Sequence, residues 1–349
     1  MPILLDTPRP GGRGIEIMKR TIMRTVLYCA FLAGLESQEL TGEIALKSFL
    51  HTYPDKVRAV TFTGEDWTIQ VGGSLFYWAE GKLLPPEFRL NQEAYQSHSF
   101  SAYPAAIPDP RGYSPAEIDA LQNRGNREAQ PDTEDPYMGF QAALYGGSNR
   151  EEIESRQVKT VFLGKTVVIH EDIAEALSRT EQRILNLAGE DPAIAEFVAS
   201  IDVIGGYNWR PIQGTQRRSY HSWGMALDIQ PKRLGNKVMY WFWERIFNRE
   251  WMLVPLENRW MPPAGVIQAF EYEGFIWGGR WTLYDNMHFE YRPELLEANR
   301  LLASQSPETQ PRRAPDAPNL HHIYPLTRRP QAPFWETVLI YLGLKKYFF

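Results

Sequence analysis

The sequence predicts a mixed fold of helices and short strands, and three observations carry that expectation. Residues 225–229 and 287–291 alternate, with apolar side chains on one face and polar, chemistry-bearing ones on the other. Ile173, Ala174, Leu177, Ile184 and Leu187 form one helical stripe through 171–188. Glycine-punctuated strand pairs precede them, at 66–79 and 159–170.

The elements follow in order. Residues 66–71 alternate as a strand, and Gly72-Gly73 turn the chain into a second strand, 74–79. The stretch 103–136 is rich in Pro, Asp, Asn and Gly and reads as a long loop. Two short strands lie within 159–170, then a helix over 171–188 and a second over 192–199. Residues 201–207 form a strand ending in Gly205-Gly206. Residues 237–248 read as an aromatic-rich helix whose rings belong to the core, and Pro262-Pro263 open a helix to 271. The expected division is a leader at 1–38, an N-terminal region of uncertain fold and role at 39–154, a domain carrying the chemistry at 155–300, and an irregular tail at 301–349. In that tail His321-His322 reads as a solvated pair. The apolar segment 334–344 is too short to span a membrane and either docks on the protein or forms a short amphipathic helix.

Bulk properties narrow the function classes. With 349 residues, 43% of them hydrophobic and 23% charged, the chain has the material for one or two cored domains. A net charge of −5 argues against a nucleic-acid partner. Cys29 is the single cysteine, so no intramolecular disulfide forms. Met18, Lys19-Arg20 and the mostly apolar run 25–35 read as a secretory signal peptide, with an amphipathic N-terminal helix as the alternative. The location expected is periplasmic or secreted, ahead of cytoplasmic. No apolar run is long enough for a stable membrane span.

The candidate chemistry lies in two segments. His221 and Asp228 are seven residues apart. In one helix they would be separated by about 10 Å, and in one flat strand they would point to opposite faces. Gly224 resolves this by turning the chain between a loop carrying His221 and a strand starting at Met225. Met225, Leu227 and Ile229 then face a core, while Ala226 and Asp228 face the other way. In the second segment Met287, Phe289 and Tyr291 are the apolar face, and His288 and Glu290 share the opposite one. We read adjacent strands of one sheet that bring Asp228 and His288 to one surface. With His221 they make a three-ligand site for one Zn2+, leaving a coordination position for water. Asp285, three residues before His288, is the candidate general base. Arg210 is the candidate donor to an oxyanion or a substrate carboxylate. Glu290 reads as a support to the ligands in preference to a fourth ligand. Residues 277–281, Trp-Gly-Gly-Arg-Trp, either line a substrate groove or turn into the strand.

These residues are familiar together. Ser219-x-His221-x-x-Gly224-x-Ala226-x-Asp228, then Gly274-Phe275-x-Trp277-Gly278-Gly279-x-Trp281 and Asp285-x-x-His288-Phe289-Glu290, resemble the VanY-like D-alanyl-D-alanine carboxypeptidase family. Asp at position 285 resembles the branch with L-alanyl-D-glutamate endopeptidases. The resemblance covers about residues 155–300. It implies an α+β fold, a small antiparallel sheet with helices packed on one side (DD-peptidase/Hedgehog-like). It also implies peptidoglycan stem peptides as substrate, His221, Asp228 and His288 as zinc ligands, Asp285 as base, Arg210 as transition-state donor, and Ser219 in the substrate site. Two other readings are a cytoplasmic or phage-derived lysin of the same chemistry and a catalytically dormant, zinc-containing cell-wall-binding module.

Overall fold

The computed structural model describes residues 40–95, 98–125, 139–210, 212 and 217–305. The signal-peptide reading, Cys29, His321-His322 and the segment 334–344 lie outside those residues. In chain order the elements are α1 (Gly42–Thr52), a four-strand meander β1 (Val57–Phe62), β2 (Trp67–Val71), β3 (Ser74–Ala79) and β4 (Lys82–Leu84), then α2 (Pro115–Gly125), α3 (Gly139–Tyr145) and α4 (Arg150–Glu154). The hairpin β5 (Gln157–Phe162) and β6 (Lys165–His170) leads into α5 (Ala174–Ala188) and α6 (Pro192–Ser200). After β7 (Ile201–Gly205) come β8 (Ala226–Pro231), a single turn α7 (Trp241–Glu244), α8 (Ala264–Tyr272), β9 (Phe275–Trp277), β10 (His288–Tyr291) and α9 (Pro293–Gln305).

The fold is α+β, with its strands in small antiparallel sheets. The second sheet has the order β7-β8-β10-β9 and holds the candidate site. Its apolar face carries Leu227, Ile229 and Phe289, all fully buried. Phe270 of α8 stacks on Phe289 with ring centroids 3.9 Å apart, so this helix seals the back of the sheet. Thr180, Leu177 and Ile184 turn the buried side of α5 toward the same core. One continuous core runs from Leu40 to Ala298 and includes Phe49, Phe76, Phe100 and Phe140 from the N-terminal region. Among the described residues no helix is long and apolar enough to cross a membrane.

Two elements differ from the sequence expectation. The presumed loop 103–136 contains α2, which opens with Pro115 and a reciprocal cap. The Glu117 carboxylate accepts from the Ser114 backbone N–H, and the Ser114 hydroxyl accepts from the Glu117 N–H at 3.3 Å. The signal was a Ser-x-x-Glu capping box hidden by the surrounding Pro and Asp residues.

The presumed helix 237–248 is only the turn α7. Residues before it are extended, because Val238 pairs with Arg259 and Tyr240 with Asp285. Tertiary pairing thus wins over a weak helical pattern in a segment of aromatic and β-branched residues that favour helix poorly. Nor do its apolar side chains all join the core: Trp243, Ile246 and Phe247 are 43%, 64% and 88% exposed.

Candidate metal centre

The loop carrying His221 is shaped by local capping. Residues Tyr220–Trp223 form a 3-10 turn, and the Ser219 hydroxyl caps it by accepting from the His221 N–H. Gly224 ends the turn at φ 68°, left-handed backbone that glycine adopts without a Cβ clash. The chain then enters β8. The buried Ser222 hydroxyl accepts from the Arg210 N–H at 3.0 Å and donates to the Arg210 carbonyl at 2.8 Å. It ties the strand exit after β7 to the His221 turn. Gly206 meets β6 so closely that a Cβ there would lie 2.1 Å from the Val168 carbonyl oxygen.

Asp228 and His288 are direct Cα partners across β8 and β10, so their side chains rise from the same face of the sheet. Ala226 faces Glu290 in the same register. His221 Nε2 lies 3.1 Å from Asp228 Oδ2 and 3.2 Å from His288 Nδ1. His288 Nδ1 lies 2.8 Å from Asp228 Oδ1. A tetrahedral ion about 2.1 Å from each ligand has donor atoms about 3.4 Å apart. The three side chains therefore fit one small divalent cation. The chemistry of the donors agrees: two imidazole nitrogens and a carboxylate are a zinc-type set.

The outer nitrogens of both imidazoles are also held. His221 Nδ1 donates to the Gly206 carbonyl at 2.7 Å. His288 Nε2 donates to Glu290 Oε1 at 3.0 Å. Each bond fixes a tautomer that turns the other nitrogen's lone pair inward. Once His288 has given up the proton it shares with Asp228, two lone pairs and a carboxylate face one another and suit a cation between them. Burial pulls the His288 pKa down, but hydrogen bonds to Asp228 and Glu290 outweigh it and push the imidazole up to about 10. Burial acts to raise Asp228, yet His221 and His288 hold its carboxyl well below the ordinary range.

Asp285 sits just before β10, its backbone N–H on the Gly278 carbonyl at 3.1 Å and its carbonyl accepting from His288 N–H at 3.2 Å. Its Oδ1 has no hydrogen-bond partner among the described residues. Burial drives its pKa up to about 7, aided by the charges of Asp228 and Glu290 and opposed by His288 and Arg210. Arg210 is half-buried, with its charge within reach of Asp285. Ser219 is 5% exposed, and the contact its hydroxyl makes is the cap on the His221 turn. The Trp-Gly-Gly-Arg-Trp stretch divides. Trp277 is buried, its indole N–H donating to the Asn286 carbonyl at 2.9 Å, while Trp281 stands 5.5 Å from the His288 ring.

Behind these residues lies a charge chain that the sequence did not disclose. The Arg292 guanidinium is buried between Glu290, at 3.4 Å, and Glu294. Gly206 and Ser222 were also missed. One acts through a carbonyl and the other through a loop-to-loop hydroxyl, and neither leaves a mark in residue spacing.

An α+β fold that brings His221, Asp228 and His288 close enough to hold one metal ion, beside a buried carboxylate, is an arrangement suited to hydrolysis. A family model described as D-alanyl-D-alanine carboxypeptidase matches residues 213–291 and supports a peptidase. That span holds His221, Asp228, Asp285 and His288. A second model, a domain of unknown function, matches residues 45–100. No curated protein and no solved structure matches the chain.

Proposed function

We propose that this chain is a zinc-dependent peptidase of peptidoglycan stem peptides, of the D-Ala-D-Ala carboxypeptidase or L-Ala-D-Glu endopeptidase type, acting in the periplasm or outside the cell. The observation that carries the reading is the convergence of two imidazoles and one carboxylate next to a second carboxylate whose Oδ1 has no partner among the described residues. His221, Asp228 and His288 would hold the ion. When bound, the ion supplies a Lewis-acid centre and acidifies water in its coordination sphere.

The remaining chemistry belongs to the chain. Asp285 accepts the proton of the attacking water and delivers it to the leaving amine. Its setting, poised near neutral pH, suits both transfers. Arg210 brings a fixed positive charge to the same space, where its planar fork suits an oxyanion or a terminal carboxylate. Glu290 keeps His288 in its ligating tautomer, and Gly206 does so for His221. Ser219 orders the turn on which His221 stands, and in this reading it serves the substrate by that route.

The test is digestion of purified peptidoglycan with and without a chelator, with fragments identified by mass spectrometry. Chelator-sensitive release of D-Ala, or cleavage between L-Ala and D-Glu, supports the proposal and names the bond. Bound zinc with no cleavage, in the wild type as in Asp285→Ala, would favour a wall-binding module. Three protein ligands count against that module, since structural zinc sites are closed by four.

A further inference from the structure

The aromatic stretch around residue 240 reaches the candidate centre, and one of its residues is placed to touch substrate. Tyr240 and Asp285 form an antiparallel bridge. The Trp241 N–H donates to the Tyr284 carbonyl at 3.0 Å, and the Asn286 N–H to the Met239 carbonyl at 3.0 Å. Those two bonds flank the pair, so Tyr240 and Asp285 are a non-hydrogen-bonded pair. In such a pair the Cα atoms approach to about 4.5 Å and both side chains rise on the same face. Whatever Asp285 faces, Tyr240 faces also.

The strand is fixed from its other side as well. The Val238 N–H donates to the Asn258 carbonyl at 2.9 Å, and the Trp260 N–H to the Val238 carbonyl at 2.8 Å. The Tyr240 ring is held edge-on by Trp241 and Trp243, with centroids 6.1 Å and 5.5 Å away. The phenol thus has a rigid mount, and the charges that act on it are those of Asp285, Arg210, Asp228 and Arg245. Three of these four are site residues.

We propose that Tyr240 is a catalytic residue: its hydroxyl donates a hydrogen bond to the substrate carbonyl oxygen as that oxygen becomes anionic. This rests on the peptidase reading above. A phenol suits the task because it stays a neutral donor. Burial and the carboxylate of Asp285 both raise its pKa, so the O–H is kept wherever the base is ionised. Arg210 would then secure one part of the substrate and Tyr240 the oxygen next to Asp285. Tyr240 stands in the segment that the sequence assigned to the core, so its role comes from strand pairing.

Tyr240→Phe keeps the ring, its packing and the bridge. Turnover of muropeptides by wild type and variant is followed by mass spectrometry, with zinc content measured for both. Binding of a phosphinate stem-peptide analogue of the bond cut by the wild type is measured separately. The expected result is a kcat reduced about 100-fold, a KM changed by less than about twofold, unchanged zinc content, and phosphinate affinity lower by the same factor as kcat. An unchanged kcat and unchanged phosphinate affinity would overturn the inference and leave the peptidase reading intact, as would a rise in KM alone. A wild type inert on muropeptides overturns both.

Discussion

His288 and Glu290 sit two residues apart on one face of β10, and Nε2 of the first donates to Oε1 of the second at 3.0 Å. The period-2 geometry of a strand makes this contact possible without any loop. It leaves Nδ1 as the inward-facing nitrogen. Arg292 approaches the far oxygen of Glu290 at 3.4 Å and helps keep the carboxylate ionised against its burial.

Glu290→Gln removes the charge and keeps the shape. The imidazole becomes a weaker base and its orientation is less firmly held. Zinc affinity is expected to fall about 10- to 100-fold, as measured by competition with a chromophoric chelator. An affinity equal to wild type would show that the carboxylate does not tune the ligand.

The titration of the same centre predicts proton release. In the ion's absence His288 keeps its proton to about pH 10. A cation can bind only as that proton leaves, so apparent affinity should rise with pH below about 10. Asp285 titrates at about 7, raised chiefly by burial, and an arriving cation favours its ionised form. Binding should therefore release about one proton above pH 7 and about two below it. Calorimetry in buffers of different ionisation heat counts them. A binding heat independent of buffer would contradict the assignment.

Asp285→Asn separates base from ligand. The amide occupies the same volume but accepts no proton at neutral pH. With His221, Asp228 and His288 intact, zinc content should match wild type while kcat falls about 10²- to 10⁴-fold. A variant that loses its zinc instead would identify residue 285 as a ligand.

The sheet that carries the site was legible because alternation is local. Met287, Phe289 and Tyr291 reveal one face and His288 and Glu290 the other, and Gly224 marks the turn that lets His221 join them. The capping box of α2 was equally local, but its Pro-rich setting masked it. Tyr240 was illegible for a different reason. Its position depends on pairing with residue 285, which lies far along the chain, and the aromatic run around it suits a buried helix as well as an extended edge. The supports through the Gly206 carbonyl and the Ser222 hydroxyl join separate loops, and residue spacing alone does not encode them.

Gly224→Ala tests the turn. At φ 68° an alanine is strained, and its Cβ would lie 2.0 Å from Gln157 Oε1 and 2.6 Å from the His170 backbone nitrogen. His170 N–H also donates to the Gly224 carbonyl at 2.9 Å, so the loop cannot withdraw without losing that bond. A loss of about 2–3 kcal/mol is expected from strain and contact together. Urea unfolding followed by tryptophan fluorescence measures it. A change below about 0.5 kcal/mol would mean the turn relaxes freely.

The N-terminal region bears on the centre through Arg292. The guanidinium lies over the Tyr220 ring at 4.6 Å and the Phe100 ring at 5.3 Å. Its partner Glu294 accepts from the Tyr53 hydroxyl at 3.2 Å. Tyr103 receives the Trp277 N–H at 3.0 Å, and Asn299 donates to the Tyr103 carbonyl at 2.6 Å. Phe100, Tyr53 and Tyr103 all precede residue 155. A chain of residues 155–305 would open the Arg292 chain to water and bare the core face now covered by Phe49 and Phe100. The full chain should therefore unfold in one transition, with calorimetric and van't Hoff enthalpies equal, and the shortened chain should show no cooperative transition. Tyr53→Phe, in the full chain, removes one hydrogen bond to a buried carboxylate and should cost about 1–3 kcal/mol. A shortened chain that melts at the temperature of the full one would mean that the N-terminal region lends the candidate site no support.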